Sequence, residues 1–331
     1  MKRFVITLMV ALLVFAGSFA FFSSYLDRME ASHFREKIHG VELGEGNVIE
    51  PVVDKEILFL LAGVDQLEDG AESVRTDTLM LFKVNTGTGK ISIISIPRDT
   101  QVLVRGEWDK VNHAHAYGGM TLTLKTIRDW LGIDLDYFVK LDFKAVEEIV
   151  DAMGGVYVDI PMDIKHESYG IDLKEGRQLL NGNEAIYFAR YRKGYENGDI
   201  GRVEAQQMLM QEIIKQALSA KNIPKLGSFV STYMSKVDTN ISLGMILELI
   251  PMASKMDTDD IEAYTIPGFE GMEDGTSYYF YNEDETQAII DEALPEYKIH
   301  EMGEDLSQAD YTSNQEEVLN DLEETSYGND D

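Results

Sequence analysis

The chain has 331 residues, a formal net charge of −30 and no cysteine. Its length allows one sizeable domain or two small ones, and its hydrophobic content of 44% is ample for a core. The lack of cysteine excludes a disulfide framework. The acidic surplus argues against nucleic acid as a partner, because a phosphate backbone requires a basic protein face.

The first segment with a clear structural signal is the uncharged apolar run Val5–Phe22, which follows Lys2 and Arg3. About 18 apolar residues just span the hydrocarbon core of a bilayer. The basic pair places the short N-terminal end in the cytoplasm, so the rest of the chain is predicted to be exported. A cleaved signal peptide is the competing interpretation, because residues 18–20 offer small side chains at a suitable spacing. We favour the uncleaved anchor because the run is longer than a usual signal-peptide core.

Changes in composition divide the rest of the chain. The segment after the anchor is polar and irregular, the texture from Lys55 is that of an α/β domain, and the chain becomes acidic after Tyr297. Such an acidic composition with few apolar residues favours disorder. The expected organisation is a cytoplasmic tip (1–4), a transmembrane anchor (5–24), an extracellular stalk (25–54), an α/β domain (55–298) and an acidic, disordered tail (299–331).

The first strands of the predicted domain are strongly marked. Ile57–Val64 is a continuous apolar run that predicts a fully buried strand. The runs 78–84 and 90–96 predict a hairpin around the turn residues 85–89. Further strands are predicted at 137–141, 156–161, 261–266 and 278–281, and helices at 118–131, 144–153, 199–219, 225–235, 243–256 and 283–294. Strands alternating with helices indicate a layered α/β domain with a central mixed sheet.

Cations are concentrated around Arg190-Tyr191-Arg192, which is followed by Asp199 and Arg202. Side chains at positions i and i+2 point the same way only in an extended backbone, so we predict that Arg190 and Arg192 aim at one target. A guanidinium matches phosphate or carboxylate oxygens with two parallel hydrogen bonds and stays protonated. Taken alone, the segment favours an anionic ligand and a structural ion-pair network about equally.

Two aspartates lie at the ends of predicted strands. Asp65 comes directly after the first buried strand, and Asp77 lies in Arg75-Thr76-Asp77-Thr78 at the entrance to the next. In open α/β sheets, ligands bind beyond the carboxyl ends of the strands. Two carboxylates that converge near a phosphate would suit Mg²⁺, which prefers oxygen ligands. The alternatives are a helix or turn cap for Asp65 and a solvated loop for Asp77.

Two further segments carry polar groups next to apolar ones. A buried strand runs straight into Pro97-Arg98-Asp99, and a charge in that position lies at the end of the sheet or is paired. In the segment 110–119, His113 and His115 are a weak zinc signal because no cysteine or third histidine lies nearby, and we expect no zinc there.

Familiar nucleophile and phosphate-loop motifs are missing from the sequence. It contains no Gly-x-Ser-x-Gly elbow, no Gly-x-x-x-x-Gly-Lys loop and no His-Glu-x-x-His helix. Catalysis by a nucleophilic serine or cysteine is therefore not supported. The remaining interpretation is a metal ion and arginines around a phosphoanhydride, where catalysis consists of positioning and charge neutralisation.

Six motifs occur in one order and spacing, and together they resemble the LytR-CpsA-Psr family of cell-wall assembly proteins. The resemblance covers about residues 57–220, and a short cytoplasmic tip with one transmembrane helix is also usual in that family. The motifs are Gly63-Val64-Asp65, Arg75-Thr76-Asp77-Thr78, Ser95-Ile96-Pro97-Arg98-Asp99-Thr100, Lys110-Val111-Asn112 with Ala116-Tyr117-Gly118-Gly119, Gly154-Gly155-Val156, and Ala189-Arg190-Tyr191-Arg192 with Asp199 and Arg202.

The resemblance implies an α-β-α layered sandwich with a central mixed β-sheet, a single N-terminal transmembrane helix and a long apolar pocket for a polyprenyl pyrophosphate. It implies a phosphotransferase, assisted by Mg²⁺ (or Mn²⁺), that moves a lipid-linked teichoic acid or capsular polysaccharide onto peptidoglycan outside a Gram-positive membrane. By motif position, Asp65 and Asp77 would bind the metal. The residues that would hold the pyrophosphate are Arg75, Arg98, Lys110, Arg190, Arg192, Arg202 and Gln206. Ala205 stands where many members carry another basic residue, so less charge is expected around the head group.

The chemistry expected from the resemblance is attack by an acceptor hydroxyl on the phosphate that links the glycan to the lipid, with Arg98 offsetting the developing charge. Asp199 is the predicted proton acceptor, and Asp99 is the second candidate. Apolar residues of the segments 122–130 and 203–214 would line the lipid pocket, although each one taken singly fits an ordinary core. The alternatives are a lipid-pyrophosphate phosphatase with water as the acceptor, and a non-catalytic envelope regulator that binds polyprenyl lipids.

Overall fold

The computed structural model of the chain describes residues 56–64, 75–192, 194–195, 198–219, 221–223, 226, 237–300 and 302. The predicted tip, anchor and stalk lie outside the described residues, as do the predicted tail beyond residue 302 and, except for Leu226, the predicted helix at 225–235. Among the described helices, none combines the length and the apolar character that crossing a membrane requires.

The centre of the fold is a meander of three antiparallel strands, β1 (Glu56–Val64), β2 (Thr76–Asn85) and β3 (Ile91–Ile96). The predicted hairpin between β2 and β3 is confirmed. The Asn85 side chain accepts hydrogen bonds from the backbone of Gly87 and Thr88 at 2.9 and 2.8 Å, which is how asparagine stabilises a turn.

The described part of the chain contains the following further strands and helices in chain order. They are β4 (Gln101–Val104), β5 (Glu107–Lys110), α1 (His113–Leu131), β6 (Tyr137–Asp142), α2 (Phe143–Met153), β7 (Val156–Ile160), β8 (Ile164–His166), the 3₁₀ turn Glu167–Tyr169, β9 (Ile171–Leu173), β10 (Gly176–Leu180), α3 (Gly182–Arg190), α4 (Asp199–Ala217), β11 (Asp238–Thr239), α5 (Leu243–Leu249), the 3₁₀ segment Ile250–Lys255, β12 (Glu262–Thr265), β13 (Gly268–Glu273), β14 (Thr276–Tyr281), α6 (Glu283–Ala293) and the 3₁₀ turn Pro295–Tyr297.

The main sheet is mixed, as predicted. Its six strands lie in the order β11-β6-β1-β2-β3-β12. Strand β6 runs parallel to β1 and β12 runs parallel to β3, whereas the other neighbours are antiparallel. A parallel pair requires a long crossover connection, and the crossover from β3 to β12 contains most of the described elements.

Both faces of this sheet are buried, which confirms the layered α-β-α arrangement. Alternate residues of a strand face opposite sides. On one side Leu60 packs in a core with Leu124 and Ile127 of α1. On the other side Leu61 belongs to a core against which Met210 of α4 packs. A third core, under β7 and β10, also includes residues of α4, so this helix joins the sheet to the rest of the domain.

Two predicted helices differ in extent from the structure. Helix α1 begins at His113 but is kinked at Gly118 and Gly119, which have non-helical dihedrals, so the predicted segment 118–131 corresponds to the part of the helix after the kink. The helix predicted at 243–256 ends at Leu249 and continues as a 3₁₀ segment in which Pro251 cannot donate a backbone hydrogen bond.

Candidate active site

Three separate stretches of the sequence, at 77, 98–110 and 192–202, bring charged side chains together at one end of the main sheet. Asp77 is the second residue of β2, Arg98 and Asp99 follow β3, and Lys110 ends β5. Helix α4 begins at Asp199 and places Arg202 one turn further on, while Arg192 precedes that helix. We call Asp77, Arg98, Asp99, Lys110, Arg192, Asp199 and Arg202 the arginine–aspartate cluster.

The backbone after β3 is held in a tight turn that presents Arg98. The amide of Thr100 donates to the carbonyl of Pro97 at 3.0 Å, and the Thr100 hydroxyl donates to the same oxygen at 2.5 Å. The Arg98 carbonyl accepts from the amide of Asn112 at 3.2 Å. These bonds satisfy polar backbone groups of the turn and so hold the backbone of Arg98 in place.

Arg98 is the centre of the cluster. Its guanidinium donates a hydrogen bond to Asp77, and its Nε lies 3.7 Å from Asp199 and 3.9 Å from Asp99. Burial by itself would lower the pKa of Arg98, but the carboxylates of Asp199, Asp77 and Asp99 raise it above its ordinary value. Arg98 therefore remains a fixed positive charge with carboxylates on several sides.

Arg202 is the most buried cation of the cluster. Its side chain is 2% exposed, its Nη2 donates to Asp199 at 2.6 Å, and its Nη1 lies 3.5 Å from the carbonyl of Asp77. Burial lowers the pKa of Arg202 below its ordinary value, with Asp199 opposing this effect and Arg98 and Arg192 adding to it. Since arginine does not deprotonate in proteins, a buried positive charge stays at this point.

Two donors of the cluster lack acceptors within the part of the chain that the structure describes. The Nε atoms of Arg98 and Arg202 are buried and have no hydrogen-bond partner there. A buried unsatisfied donor is costly, and it is costlier still on a charged group. The cluster also holds four cations and three carboxylates, although the whole chain is strongly acidic. Both features favour an anionic ligand.

Arg190 and Arg192 do not form the extended pair that the sequence predicted. Arg190 is in the last turn of α3, and the extended backbone begins one residue later, at Tyr191. The guanidinium of Arg190 lies 4.7 Å from the centre of the Phe143 ring, whereas the Nε of Arg192 lies 3.8 Å from Asp199. The prediction was wrong because the capping box at Asn181 starts a helix that runs as far as Arg190.

An apolar cavity lies beside the cluster. It contains about 510 Å³ of empty space, part of it open to solvent. Thr78, the neighbour of Asp77, and Gln206, one turn after Arg202, stand in its wall, as does Phe143 beneath Arg190. The other lining residues are Leu61, Gly63, Met80, Leu141, Asp142, Val146, Ile186, Ala189, Leu209, Met210 and Ile213.

The lining includes residues from one of the two helical segments that the sequence predicted for a lipid pocket. The second half of α4 contributes Leu209, Met210 and Ile213, as expected. Residues 122–130 do not line this cavity, because Leu124 and Ile127 are fully buried against the opposite face of the sheet. The sequence could not distinguish the two faces, since both helices carry apolar residues at helical spacing.

The predicted role of Gln206 in binding pyrophosphate finds little support in its contacts. Gln206 is 6% exposed, and its amide donates to the carbonyl of Ala189 at 3.1 Å. The neighbouring Gln207 donates to the Ser95 hydroxyl at 3.1 Å and to the carbonyl of Tyr264 at 2.7 Å. The two glutamines thus fasten α4 to α3 and to the main sheet, which fixes the position of Arg202.

A second polar group beside the cluster was not predicted. Asp109 accepts hydrogen bonds from the backbone of Lys110 at 2.7 Å and from the Tyr117 hydroxyl at 2.9 Å, and it lies 2.8 Å from Nδ1 of His113. Burial acts to raise the pKa of Asp109, but these hydrogen bonds lower it overall. Next to this group, Lys110 pairs with Asp99 at 3.3 Å.

Of the three remaining predicted residues, Arg75 and His115 lie in the described part of the chain and Asp65 does not. Arg75 is exposed at the start of β2, and His115 belongs to the first turns of α1. In the described part of the chain, no three histidine or acidic side chains come together in a way that could hold a metal ion.

Comparison with known sequences shows which family this chain resembles. The sequence pattern of the LytR_cpsA_psr family matches residues 23–294. A relative from Bacillus mycoides (strain KBAB4), named polyisoprenyl-teichoic acid–peptidoglycan teichoic acid transferase TagU, is 31% identical over 263 residues, which are 78% of this chain and 83% of the relative. The protein of the same name from Bacillus subtilis (strain 168) is 31% identical over 242 residues, which are 72% of this chain and 77% of the relative.

Solved structures agree with the sequence comparison. The crystal structure of B. subtilis TagV superposes with a TM-score of 0.65 at 28% identity and covers 73% of this chain and 98% of TagV. The structure of TagT bound to LIIa-WTA gives a TM-score of 0.62 at 27% identity and covers 78% of this chain and 99% of TagT. The family pattern spans most of the chain and every element that contributes to the arginine–aspartate cluster, so the chain belongs to the LytR-CpsA-Psr family.

Proposed function

We propose that this chain is a glycopolymer–peptidoglycan phosphotransferase. It would transfer an anionic glycopolymer, such as a teichoic acid or a capsular polysaccharide, from a polyprenyl-pyrophosphate carrier to peptidoglycan. The observation that carries the proposal is the pair of buried guanidinium nitrogens of Arg98 and Arg202, which have no hydrogen-bond acceptor among the described residues, next to an apolar cavity. In a lipid pyrophosphate, the charged pyrophosphate would bind the arginines and the apolar prenyl chain would enter the cavity. The names of the TagU relatives point to the same class of reaction.

The proposed reaction is a displacement at the phosphorus that joins the glycan to the lipid pyrophosphate. The oxygen of the acceptor hydroxyl forms a bond to this phosphorus, and the bond from phosphorus to the bridging oxygen breaks, so that polyprenyl phosphate leaves. Arg98 and Arg202, with Arg192 at the rim, offset the charge that develops on the phosphate oxygens. Their ion pairs hold them in place before substrate binds, so little reorganisation is needed.

The hydroxyl proton goes to a carboxylate in this proposal. Asp199 is the first candidate and Asp99 the second, because both lie within 4 Å of the Arg98 guanidinium. Asp199 also contacts Arg192 and Arg202, so it can position the arginines as well. Asp199→Asn and Asp99→Asn variants separate these roles, since loss of a proton acceptor lowers kcat and alters its pH profile, whereas loss of positioning also raises the KM for the lipid.

Mg²⁺ (or Mn²⁺) is part of the proposal. The carboxylates of Asp77 and Asp99 are hard oxygen donors beside the arginines, and Asp77 with Asp65 would hold the ion. Magnesium sites commonly use one or two carboxylates and complete the shell with water and substrate phosphates, so a larger acidic group is not required. When bound, the ion would neutralise negative charge on the pyrophosphate. We further propose that residues 5–24 anchor the chain in the cell membrane, with the catalytic domain outside.

The test is a transfer assay with the full-length chain in detergent, a polyprenyl-pyrophosphate-linked glycan, Mg²⁺ and a peptidoglycan oligomer. We expect acceptor-linked glycan and its loss in Arg98→Ala and Asp77→Ala proteins. Arg177→Ala is the matched control, because this arginine is 56% exposed and pairs with Glu212 away from the cluster. Normal transfer by the Arg98→Ala protein would overturn the site assignment.

Two outcomes of the same assay would point to other functions. Release of phosphate or phosphorylated glycan without acceptor would indicate a lipid-pyrophosphate phosphatase. Tight lipid binding without turnover, unchanged by substitution of Asp65 or Asp77, would indicate a non-catalytic lipid-binding regulator. Native mass spectrometry of the membrane-extracted protein identifies the bound lipid directly.

A further inference from the structure

A row of aromatic side chains leads away from the arginine–aspartate cluster. It consists of His166 at the end of β8, Tyr169 in the following 3₁₀ turn, Tyr187 on α3, and Tyr191 and Tyr195 between α3 and α4. We call these five residues the aromatic row. None of them is used by the reaction proposed above.

The rings of the aromatic row are in continuous contact. The ring centres of Tyr169 and Tyr187 are 5.9 Å apart, those of Tyr187 and Tyr191 are 6.2 Å apart, and those of Tyr191 and Tyr195 are 5.8 Å apart. His166 lies 4.8 Å from Tyr169 and 5.6 Å from Tyr187. These spacings are in the range of favourable aromatic pairs, so the row is a preformed surface.

One end of the aromatic row lies at the arginine–aspartate cluster. A Cβ atom added at Gly201 would lie 2.5 Å from the Cβ of Tyr195, so Tyr195 packs directly on the first turn of α4 beside Arg202. Its hydroxyl is buried, and burial raises the pKa of Tyr195 to about 12, so this residue supports the row and does not act as an acid. Tyr191 is the residue that precedes Arg192.

The other end of the aromatic row is open to solvent. Tyr169 is 67% exposed, whereas Tyr187, Tyr191 and Tyr195 are partly buried and also pack on the core beneath β7 and β10. Core packing explains the inner rings but gives no reason for a large aromatic ring at the outer end. Exposed aromatic surface that continues from a catalytic site is typical of a ligand subsite.

We propose that the aromatic row binds the uncharged sugar backbone of the acceptor glycan strand. Pyranose rings present faces of C–H groups that stack on aromatic rings, and tyrosine adds a hydroxyl that can hydrogen-bond at the rim. The assignment rests on the proposed transfer to peptidoglycan. The charges along the row favour the uncharged acceptor over the anionic donor polymer. Lys165 near the outer end is already paired with Glu167 at 3.0 Å, and the acidic Glu204 lies near Tyr195. A polyanion would instead prefer the cationic end.

Tyr169→Ala is the decisive variant, because a side chain that is 67% exposed can be removed without leaving a cavity in the core. The probe is chitohexaose, an uncharged β-1,4-linked N-acetylglucosamine hexamer, titrated into the full-length chain in detergent and followed by ligand-observed NMR. We expect the Kd to rise at least tenfold in the Tyr169→Ala protein and to stay within twofold of wild type in Tyr169→Phe. The matched control is Tyr157→Ala, since Tyr157 is also exposed (48%) but lies on β7 against Arg177.

The transfer assay gives a second readout that a purely structural role would not produce. With the Tyr169→Ala protein, we expect a raised KM for the peptidoglycan oligomer and unchanged KM for the lipid and kcat. Failure of wild-type protein to bind chitohexaose, equal binding by Tyr169→Ala, or Tyr169-dependent binding of poly(glycerol phosphate) would overturn the proposal. Sugar binding that depends on Tyr169 in a chain without transferase activity would support the subsite and contradict only the proposed function.

Discussion

The arginine–aspartate cluster and the ion pairs of the β8–β9 hairpin use the same kinds of residues in different surroundings. In the hairpin, Lys174 contacts Asp163 and Asp172, and all three side chains are more than half exposed. In the cluster, Arg202 is 2% exposed and Asp199 is 24% exposed. Exposed pairs are screened by water and salt, so they add little stability, whereas buried charges depend on each partner. Burial, and not the number of ion pairs, is what makes the charges of the cluster depend on one another.

The largest effect that this comparison predicts is for Arg202→Ala. Removing the buried guanidinium leaves Asp199 with weaker partners, and breaking a buried ion pair costs about 3 kcal/mol or more of unfolding free energy. Transfer should fall by at least about 10²-fold because a charge-stabilising donor is lost. Denaturant unfolding and the transfer assay measure the two effects. Wild-type stability together with normal transfer by the Arg202→Ala protein would contradict the prediction that this buried guanidinium supports both folding and catalysis.

A large effect confined to activity is expected for Arg98→Lys. Lysine keeps the positive charge and the attraction to Asp77, but it lacks the planar fork that binds two phosphate oxygens at once. We expect kcat to fall about 10²-fold and the melting temperature to change little. Arg177→Lys provides a matched control at an exposed arginine. Equal rates for the Arg98→Lys and wild-type proteins would mean that charge alone suffices.

A smaller effect is expected for Arg192→Ala, which lies at the rim of the cluster. The side chain is 49% exposed, and its Nε lies 3.8 Å from Asp199. We expect kcat/KM to fall about tenfold, equivalent to about 1.4 kcal/mol, and the loss to shrink as salt is added. A series of rate measurements at increasing ionic strength checks this. A loss as large as that of Arg202→Ala would place Arg192 closer to the reacting phosphate than its exposure suggests.

A pH-dependent effect on stability is predicted for Asp109→Asn. Hydrogen bonds with Lys110, His113 and Tyr117 lower the pKa of Asp109 in the folded protein below its ordinary value of 3.8, so the stabilisation is present above that pH and is lost as the pH falls further. The variant should melt at a lower temperature than wild type at pH 7, and the difference should shrink as the pH falls below 3.8. A difference that stays the same below that pH would contradict this assignment.

The smallest effect, and the other side of the comparison, is expected for Lys174→Ala. The hydrogen bonds with Asp172 and Asp163 raise the pKa of Lys174, yet the group lies in open solvent. We expect melting temperature and transfer rate to stay at the wild-type values. A clear loss of activity would show that this surface takes part in substrate binding and would extend the site beyond the aromatic row.

Much of the fold could be predicted because its central strands have strong local signals. The run Ile57–Val64 is apolar enough to require burial on both faces, and Asn85 with its glycine neighbours specifies the turn between β2 and β3. The short strands β4, β5, β8 and β9 and the helix α3 were not predicted. They have three to nine residues each, and their positions depend on contacts more than on pattern.

The site was predicted in part for a similar reason. Arginine is seldom buried, so an arginine that closely follows the apolar strand β3 marks Arg98 as a candidate site residue in the sequence alone. The spacing of Arg190 and Arg192 led to the wrong prediction of an extended backbone, because the helix is set by the capping box at Asn181, nine residues before Arg190. The group around Asp109 could not be recognised in the sequence, because its residues are ordinary polar ones. Only the fold brings the Tyr117 hydroxyl within hydrogen-bond distance of Asp109.

The sequence by itself determined the strand core, the inventory of cations in a strongly acidic chain and the family to which the chain belongs. Only the tertiary structure decided that Arg202 meets Asp77, which lies 125 positions away, and that four tyrosines and a histidine form one surface beside them. The physical reason is that local patterns specify which side of an element is buried. The packing of α4 on both the sheet and the neighbouring core specifies which buried sides meet.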